Sequence, residues 1–299
     1  MPQEVSTLNI YSLRDLQYRL GFNRDLLWDV AETAGRYYRP FPTYDKNKTR
    51  WIDNPVGILK EVQARIQNQL LSQITFPSHI QGGVPGRSPI TNATMHLGAP
   101  VVVMLDIRKC FPSITNQQIF HSLRNRLDCS PTVSHLLTKL TTFEGHLPQG
   151  APTSTTLANI VLAECDEEVK AWCARYGITY TRFVDDLAFS GSLARAIINS
   201  TVKVLKRHGF RTPHAKLKIL GPRVRHQITG IVANTKLGVA REKRGKIRAG
   251  IHRLKYVDNA NSAERAILSL QGKIAFVRQV NRGSGESLKK LLEENFPIR

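Results

Sequence analysis

Three aspartates in this chain stand where strand-like segments end. Asp106 directly follows the β-branched run Val101-Val102-Val103-Met104-Leu105. Asp185 and Asp186 lie between two apolar segments, Ile178–Phe183 and Leu187–Ser190, which read as strand, tight turn and strand. One acid at a strand end and an acid pair on a neighbouring hairpin tip suit nucleotidyl transfer. That chemistry uses two divalent cations roughly 3.5–4 Å apart, one activating the attacking hydroxyl and one holding a triphosphate. A hard cation such as Mg2+ takes a few carboxylate oxygens and leaves its other positions to water and phosphate. An Asp-Asp pair alone is more often a turn or a helix cap. Here the pair sits between apolar strands and is matched by a third acid after another, so a metal site is the stronger reading.

The elements around these acids follow from periodicity. Ser12 can cap a short helix to Leu20, with Leu13, Leu16 and Leu20 at helical spacing. Tyr44–Arg50 is polar and basic, and Asp53-Asn54-Pro55 reads as a turn. From Val56 to Ile74 apolar residues recur at helix period, and the glycines and proline of Gln81–Ser88 demand a loop. Mixed helical sequence runs to about residue 142, the turn Leu147–Pro152 follows, and Ser154–Trp172 has a helical pattern with a plausible cap. After the Asp-Asp hairpin come a helix over Leu193–His208, a short segment around Phe210–Leu220 and, beyond Gly230, a rise in basic charge. This order implies an α+β centre flanked by helical lobes.

Composition narrows the partner. Of 299 residues, 41% are hydrophobic and 22% charged, ordinary for a globular chain. The 43 Lys and Arg against 23 Asp and Glu leave a net charge of +20, which favours a polyanion, and nucleic acid above all. Cys110, Cys129, Cys165 and Cys173 form no C-x-x-C pair and fit a reducing, cytosolic compartment. No stretch approaches the roughly 20 apolar residues of a membrane-spanning helix, and the start of the chain lacks a signal-like segment, so a cytoplasmic protein is expected.

Phe183-Val184-Asp185-Asp186 resembles the [Y/F]-x-D-D motif of reverse transcriptases. Leu105-Asp106-Ile107-Arg108-Lys109-Cys110-Phe111-Pro112-Ser113-Ile114 resembles their first catalytic motif. Leu147-Pro148-Gln149-Gly150-Ala151-Pro152-Thr153-Ser154, with Leu157-Ala158-Asn159 after it, is similar to the motif that shapes their nucleotide pocket. Asn92-Ala93-Thr94-Met95-His96 and Ile228-Thr229-Gly230 resemble the N-A-x-x-H and V-T-G signatures of the retron branch, the second with Ile for Val. The resemblance spans roughly residues 38 to 256.

The resemblance implies a right-hand polymerase: fingers over residues 1–98, an RRM-like antiparallel palm over 99–230 and a basic helical thumb over 231–299. It implies RNA-templated DNA synthesis with Mg2+, for which Mn2+ can substitute, held at Asp106, Ile107, Asp185 and Asp186. Arg50, with Lys46 or Lys48, would meet the triphosphate; Gln149 and Gly150 would pack near the incoming nucleotide. Phe111, five residues after Asp106, would close the pocket against a ribose 2′-hydroxyl. Lys216 occupies the Lys of an N-x-x-K-T motif and would protonate pyrophosphate, although Pro213 and Leu217 replace the Asn and the Thr. Asn92, His96 and the cluster Arg241, Lys243, Arg244, Lys246 and Arg248 would bind RNA. The partners implied are a cognate non-coding RNA, its branched DNA product primed from a 2′-hydroxyl, deoxynucleoside triphosphates and a separate effector protein in phage defence. RNA-templated RNA synthesis is disfavoured by the bulk of Phe111. An inactive RNA-binding scaffold is disfavoured by the intact Asp106, Asp185 and Asp186.

Overall fold

The computed structural model describes residues 5–45, 48–256 and 259–296. Two short helices open the chain, α1 (Leu13–Leu20) and α2 (Arg24–Glu32), each started by a side chain that accepts an orphan backbone N–H: Ser12 from Asp15, Asn23 from Leu26. An antiparallel ribbon follows, β1 (Tyr38–Asp45) and β2 (Lys48–Pro55). It replaces the turn expected over Asp53–Pro55. Among the described residues the ribbon has no third strand, so Pro40, Pro42 and Pro55 leave no sheet neighbour short of an N–H donor.

Helix α3 (Gly57–Arg65) continues through a π turn at Ile66–Leu70, and α4 (Pro89–Thr94) carries a capping box at Ser88. The palm begins with β3 (Val102–Asp106), then α5 (Cys110–Ser113), α6 (Asn116–His121), α7 (Pro131–Thr141) and the long α8 (Ser154–Arg175). Next come β4 (Thr179–Phe183), β5 (Asp186–Ser190), α9 (Ile198–Arg207) and β6 (Lys218–Leu220). These strands form an antiparallel sheet in the order β4-β5-β3-β6. A three-stranded sheet of β7 (Gln227–Ile228), β8 (Ile231–Ala233) and β9 (Leu237–Val239) leads into α10 (Arg241–Arg253), α11 (Ala260–Val280) and α12 (Arg282–Asn295).

Alternate residues of the palm strands feed two cores. Val103, Leu105, Leu187 and Phe189 join the larger one, which runs without a break into Leu16, Leu27 and Leu59 of the first three helices. Val102 and Ala188 join the second, with Ile228, Ile231, Ile247, Val277 and Leu288. The first three helices and one face of the four-stranded sheet therefore share one core, and the other face of that sheet shares a core with α10, α11 and α12. A boundary at residue 230 cuts a hairpin: Thr229 and Gly230, at φ 46° and 83°, are the turn between β7 and β8. Positive φ at both loop positions is the I′ pattern, which suits the twist of paired strands. The segment 231–299, expected to be helical, therefore opens with two strands, β8 and β9, before α10.

Candidate active site

The register of β3 against β5 sets Asp106 directly opposite Asp186. Asp185 occupies the two-residue loop between β4 and β5, and its carbonyl accepts a hydrogen bond from the Ile107 N–H at 2.9 Å. All three acids are therefore carried on adjacent backbone at one end of the sheet. The first loop residue, Val184, has φ 59°. A tight hairpin with positive φ at that position normally takes Gly, and a β-branched residue held there costs on the order of 1–3 kcal/mol. The strain is enforced from outside. A Cβ added to Gly82 would stand 2.3 Å from the Val184 nitrogen, so only glycine lets this loop back onto the turn.

Burial raises the carboxyl of Asp185, with a further push from Asp106, and raises Asp186 to about 6, with a push from Asp185 and Asp106. Negative charge is in excess here, offset by the ammonium of Lys216, which pairs with the Asp106 carboxylate. Among the described residues no three acidic, His or Cys side chains close on one point as a preformed cage. An open, acid-rich edge suits a hard divalent cation that draws its remaining ligands from substrate phosphate and water. Ile107 can offer only its carbonyl, because its buried side chain is a hydrocarbon.

The fingers close one side of this edge. The Asp53 N–H donates to the Gln149 carbonyl at 2.9 Å, and the Gln149 N–H donates to the Asp53 carboxylate at 3.0 Å. Gly150, at φ 130°, lies so close to β2 that an added Cβ would fall 2.7 Å from Ile52 Cγ2. Arg50 shares a face of β2 with Ile52, is exposed, and its charge acts on Asp185. The structure thus brings Arg50, Gln149, Gly150 and the aspartates to one region. Phe111, on α5, is half-buried against the larger core. Lys48 begins β2, whereas Lys46 lies outside the described residues.

The expected RNA contacts divide. Asn92 and His96 are each 1% exposed, and neither side chain is available to RNA. His96 bridges Ser190 Oγ and Thr181 Oγ1, both at 2.7 Å, on the two strands of the acid hairpin. Asn92 donates to Thr229 Oγ1 at 3.4 Å, and Thr229 in turn donates to the Pro89 carbonyl at 3.1 Å. The two retron-like signatures thus meet at Asn92 and Thr229, a joint between α4 and the β7–β8 turn, while His96 ties the same segment to β4 and β5. On α10, Arg241, Lys243, Lys246 and Arg248 are exposed. Lys243 stands over the Phe276 ring at 4.4 Å, and Arg244, half-buried, reaches Ser284 at 3.5 Å. Asp53 and Gly82 were not singled out from sequence. The only trace of Gly82 there is a Gly-Gly pair in a loop, and Asp53 resembles any turn acid.

Residues 41–236 match the family described as reverse transcriptase (RNA-dependent DNA polymerase). The retron Ec86 reverse transcriptase of Escherichia coli is 30% identical over 288 residues, covering 93% of this chain and 87% of the relative. The retron Mx65 enzyme of Myxococcus xanthus is 32% identical over 261 residues, 81% of this chain but 60% of the relative's own length. Among solved structures, telomerase from Candida albicans aligns at a TM-score of 0.49 and 7% identity, over 89% of this chain and 59% of that one. With the right-hand α+β arrangement and the acid hairpin in place, the match over residues 41–236 and the identity across most of the Ec86 enzyme decide the family: this chain belongs to the retron-type reverse transcriptases, RNA-directed DNA polymerases.

Proposed function

We propose that Asp106, Asp185 and Asp186 hold Mg2+, replaceable by Mn2+, and that the chain copies its cognate non-coding RNA into a branched RNA–DNA product. The observation that carries this reading is the pairing of Asp106 with Asp186 across β3 and β5, with Asp185 tied to Ile107 beside them. When bound, the divalent ions activate the attacking hydroxyl and neutralise charge on the triphosphate. Arg50 orients the triphosphate through its guanidinium fork. Gln149 and Gly150 supply a backbone wall that stays narrow because Gly150 has no side chain. Phe111 limits the space at the sugar 2′-position and favours deoxyribonucleotides. Lys216, which pairs with Asp106, would donate a proton to the departing pyrophosphate.

Arg241, Lys246 and Arg248 grip phosphates of the RNA and of the template duplex, which supplies affinity without sequence reading. Recognition of a particular hairpin then falls to shape and 2′-hydroxyl contacts. Priming from a 2′-hydroxyl, a phage-defence role with a separate effector, and residence in the bacterial cytoplasm rest on the retron resemblance alone. Among the described residues no helix is long and apolar enough to cross a membrane. The reading is tested with Asp185→Ala and Asp186→Ala. Each is expected to abolish DNA synthesis while RNA binding persists, and sequencing the nucleic acid that copurifies with the wild type is expected to return a branched RNA–DNA. Substantial synthesis by either purified variant rejects the site.

A further inference from the structure

Arg182 stands one residue before Phe183 in β4 and is 1% exposed. A charge at that depth is costly unless every donor finds a partner. Nε and Nη2 donate to the Asp166 carboxylate on α8 at 2.9 and 2.7 Å, and Nη1 donates to Asn159 Oδ1 and to the Val184 carbonyl, both at 2.9 Å. The Tyr180 hydroxyl adds a 2.6 Å bond to Asp166. Asn159 Nδ2 then donates to the Gly82 carbonyl at 2.8 Å, and Gly82 is the residue that backs onto Val184. The same loop follows the outer edge of β4: the Arg182 N–H donates to His79 O at 2.8 Å, and the Gln81 N–H donates to Arg182 O at 2.7 Å.

A buried ion pair is weak evidence of stability, since apolar replacements of equal volume are often neutral or stabilising. An apolar residue, however, cannot hook α8 and at the same time hold the carbonyl of a turn. Val184 keeps its unfavourable φ between two constraints that meet at Asn159: the guanidinium on its carbonyl and Gly82 against its nitrogen. The peptide so fixed leads directly into Asp185. We propose that Arg182 is a positioning residue for DNA synthesis: with Asp166 and Asn159 it locks the Val184–Asp185 turn and so sets where the Asp185 carboxylate meets its cation. The inference rests on the metal-site reading above.

Arg182→Lys keeps a charge beside Asp166 but offers one nitrogen, which cannot serve Asp166, Asn159 and Val184 together. Asn159→Ala removes the link to Gly82 and leaves the Arg182–Asp166 pair in place. The full-length chain is assayed for thermal unfolding and for the single-turnover rate of nucleotide incorporation. Mn2+ affinity is read by electron paramagnetic resonance on the complex with a 3′-deoxy-terminated primer–template and a deoxynucleoside triphosphate. A misplacement of the order of an ångström costs ~100-fold in rate, so Arg182→Lys is expected to lose about that much. Mn2+ affinity is expected to fall with it, and primer–template affinity to stay as in the wild type. Asn159→Ala is expected to move the rate and the Mn2+ affinity in the same direction by less, and it decides the matter if Arg182→Lys does not fold. Wild-type rate and wild-type Mn2+ affinity in Asn159→Ala and in any folded Arg182→Lys overturn the proposal, whatever the change in melting temperature. Asp185→Ala separates the two levels. If it keeps Mn2+ binding and incorporation, the metal-site reading fails. If it loses both while the other two variants lose neither, the positioning role alone fails.

Discussion

Asp53 and Gln149, 96 residues apart, exchange two hydrogen bonds, one from backbone to backbone and one from the Gln149 N–H to the Asp53 carboxylate. The strand that carries Arg50 and the loop that carries Gly150 therefore move as one body. The wall of the proposed nucleotide pocket is built by this contact between fingers and palm rather than by either segment alone.

Asp53→Ala is accordingly expected to raise KM for deoxynucleoside triphosphates. Leaving a part-buried N–H without its acceptor costs roughly 1–3 kcal/mol, about five-fold or more in affinity if the loss falls on the bound state. The acids of the palm are untouched, so kcat should fall less than KM rises. Steady-state kinetics on a fixed primer–template separate the two, and an unchanged KM would return Asp53 to the role of a loop anchor.

Sugar selection is expected to depend on Phe111. Phe111→Ala should raise incorporation of ribonucleotides relative to deoxyribonucleotides, each ten-fold change corresponding to about 1.4 kcal/mol of transition-state discrimination. Because Phe111 also packs against the larger core, some loss of stability accompanies the change, and unfolding is measured alongside. A constant sugar ratio in folded protein would leave Phe111 as core only.

Lys216→Ala is expected to have two effects of opposite sign. Removing the ammonium from Asp106 frees a ligand and should lower the Mg2+ concentration that the reaction needs, while loss of the proposed acid slows the chemical step. Single-turnover rates across a Mg2+ titration resolve both. A variant with wild-type rate at saturating Mg2+ rejects the acid role.

The acid hairpin was legible because strand periodicity and the Asp-Asp pair coincide in one short segment. The β1–β2 ribbon was not: two prolines interrupt β1, and a ribbon without a third strand carries little of the alternation that a buried sheet face imposes. Asn92 and His96 were legible as a signature but not as a joint. Their partners lie 137, 94 and 85 residues away, and a sequence does not show which polar groups end up facing one another indoors. The same holds for Arg182, whose partner Asp166 sits on another element and whose burial alone reveals its task.

His96 makes the joint sensitive to acid. Burial depresses its pKa from 6.5 to about 4, so the imidazole is neutral when folded. The unfolded chain binds the extra proton first, so this contribution to stability is present above pH 6.5 and is lost as pH falls toward 4. At about 1.36 kcal/mol per pH unit the shift corresponds to roughly 3 kcal/mol. Asp186, raised in the same range, acts in the opposite direction, so the comparison is with His96→Gln rather than with neutral pH alone. Denaturant midpoints between pH 7 and 4.5 should fall more steeply for wild type than for the variant, and parallel curves would show that His96 does not carry the difference.

The thumb offers a test that divides its basic residues by what each one touches. Arg241, Lys246 and Arg248 are exposed on α10, whereas Lys243 covers Phe276 and Arg244 reaches Ser284. Neutralising the first three should weaken RNA binding and reduce the salt slope by about 0.7–0.9 for each phosphate that is no longer paired with a cation. Neutralising Lys243 and Arg244 should instead lower the unfolding midpoint and change the slope less, because Lys243 packs on the Phe276 ring and Arg244 is half-buried against Ser284. Titrations across salt against the cognate RNA and an unrelated duplex then assign the surface. A loss of affinity larger for the cognate RNA makes α10 part of hairpin recognition, by way of a shape that only one RNA presents to it. An equal loss on both ligands makes it a general phosphate grip. In that case selection of the RNA belongs to another surface, and Asn92, buried against the β7–β8 turn, and His96, buried against the β4–β5 hairpin, are not the place to look for it.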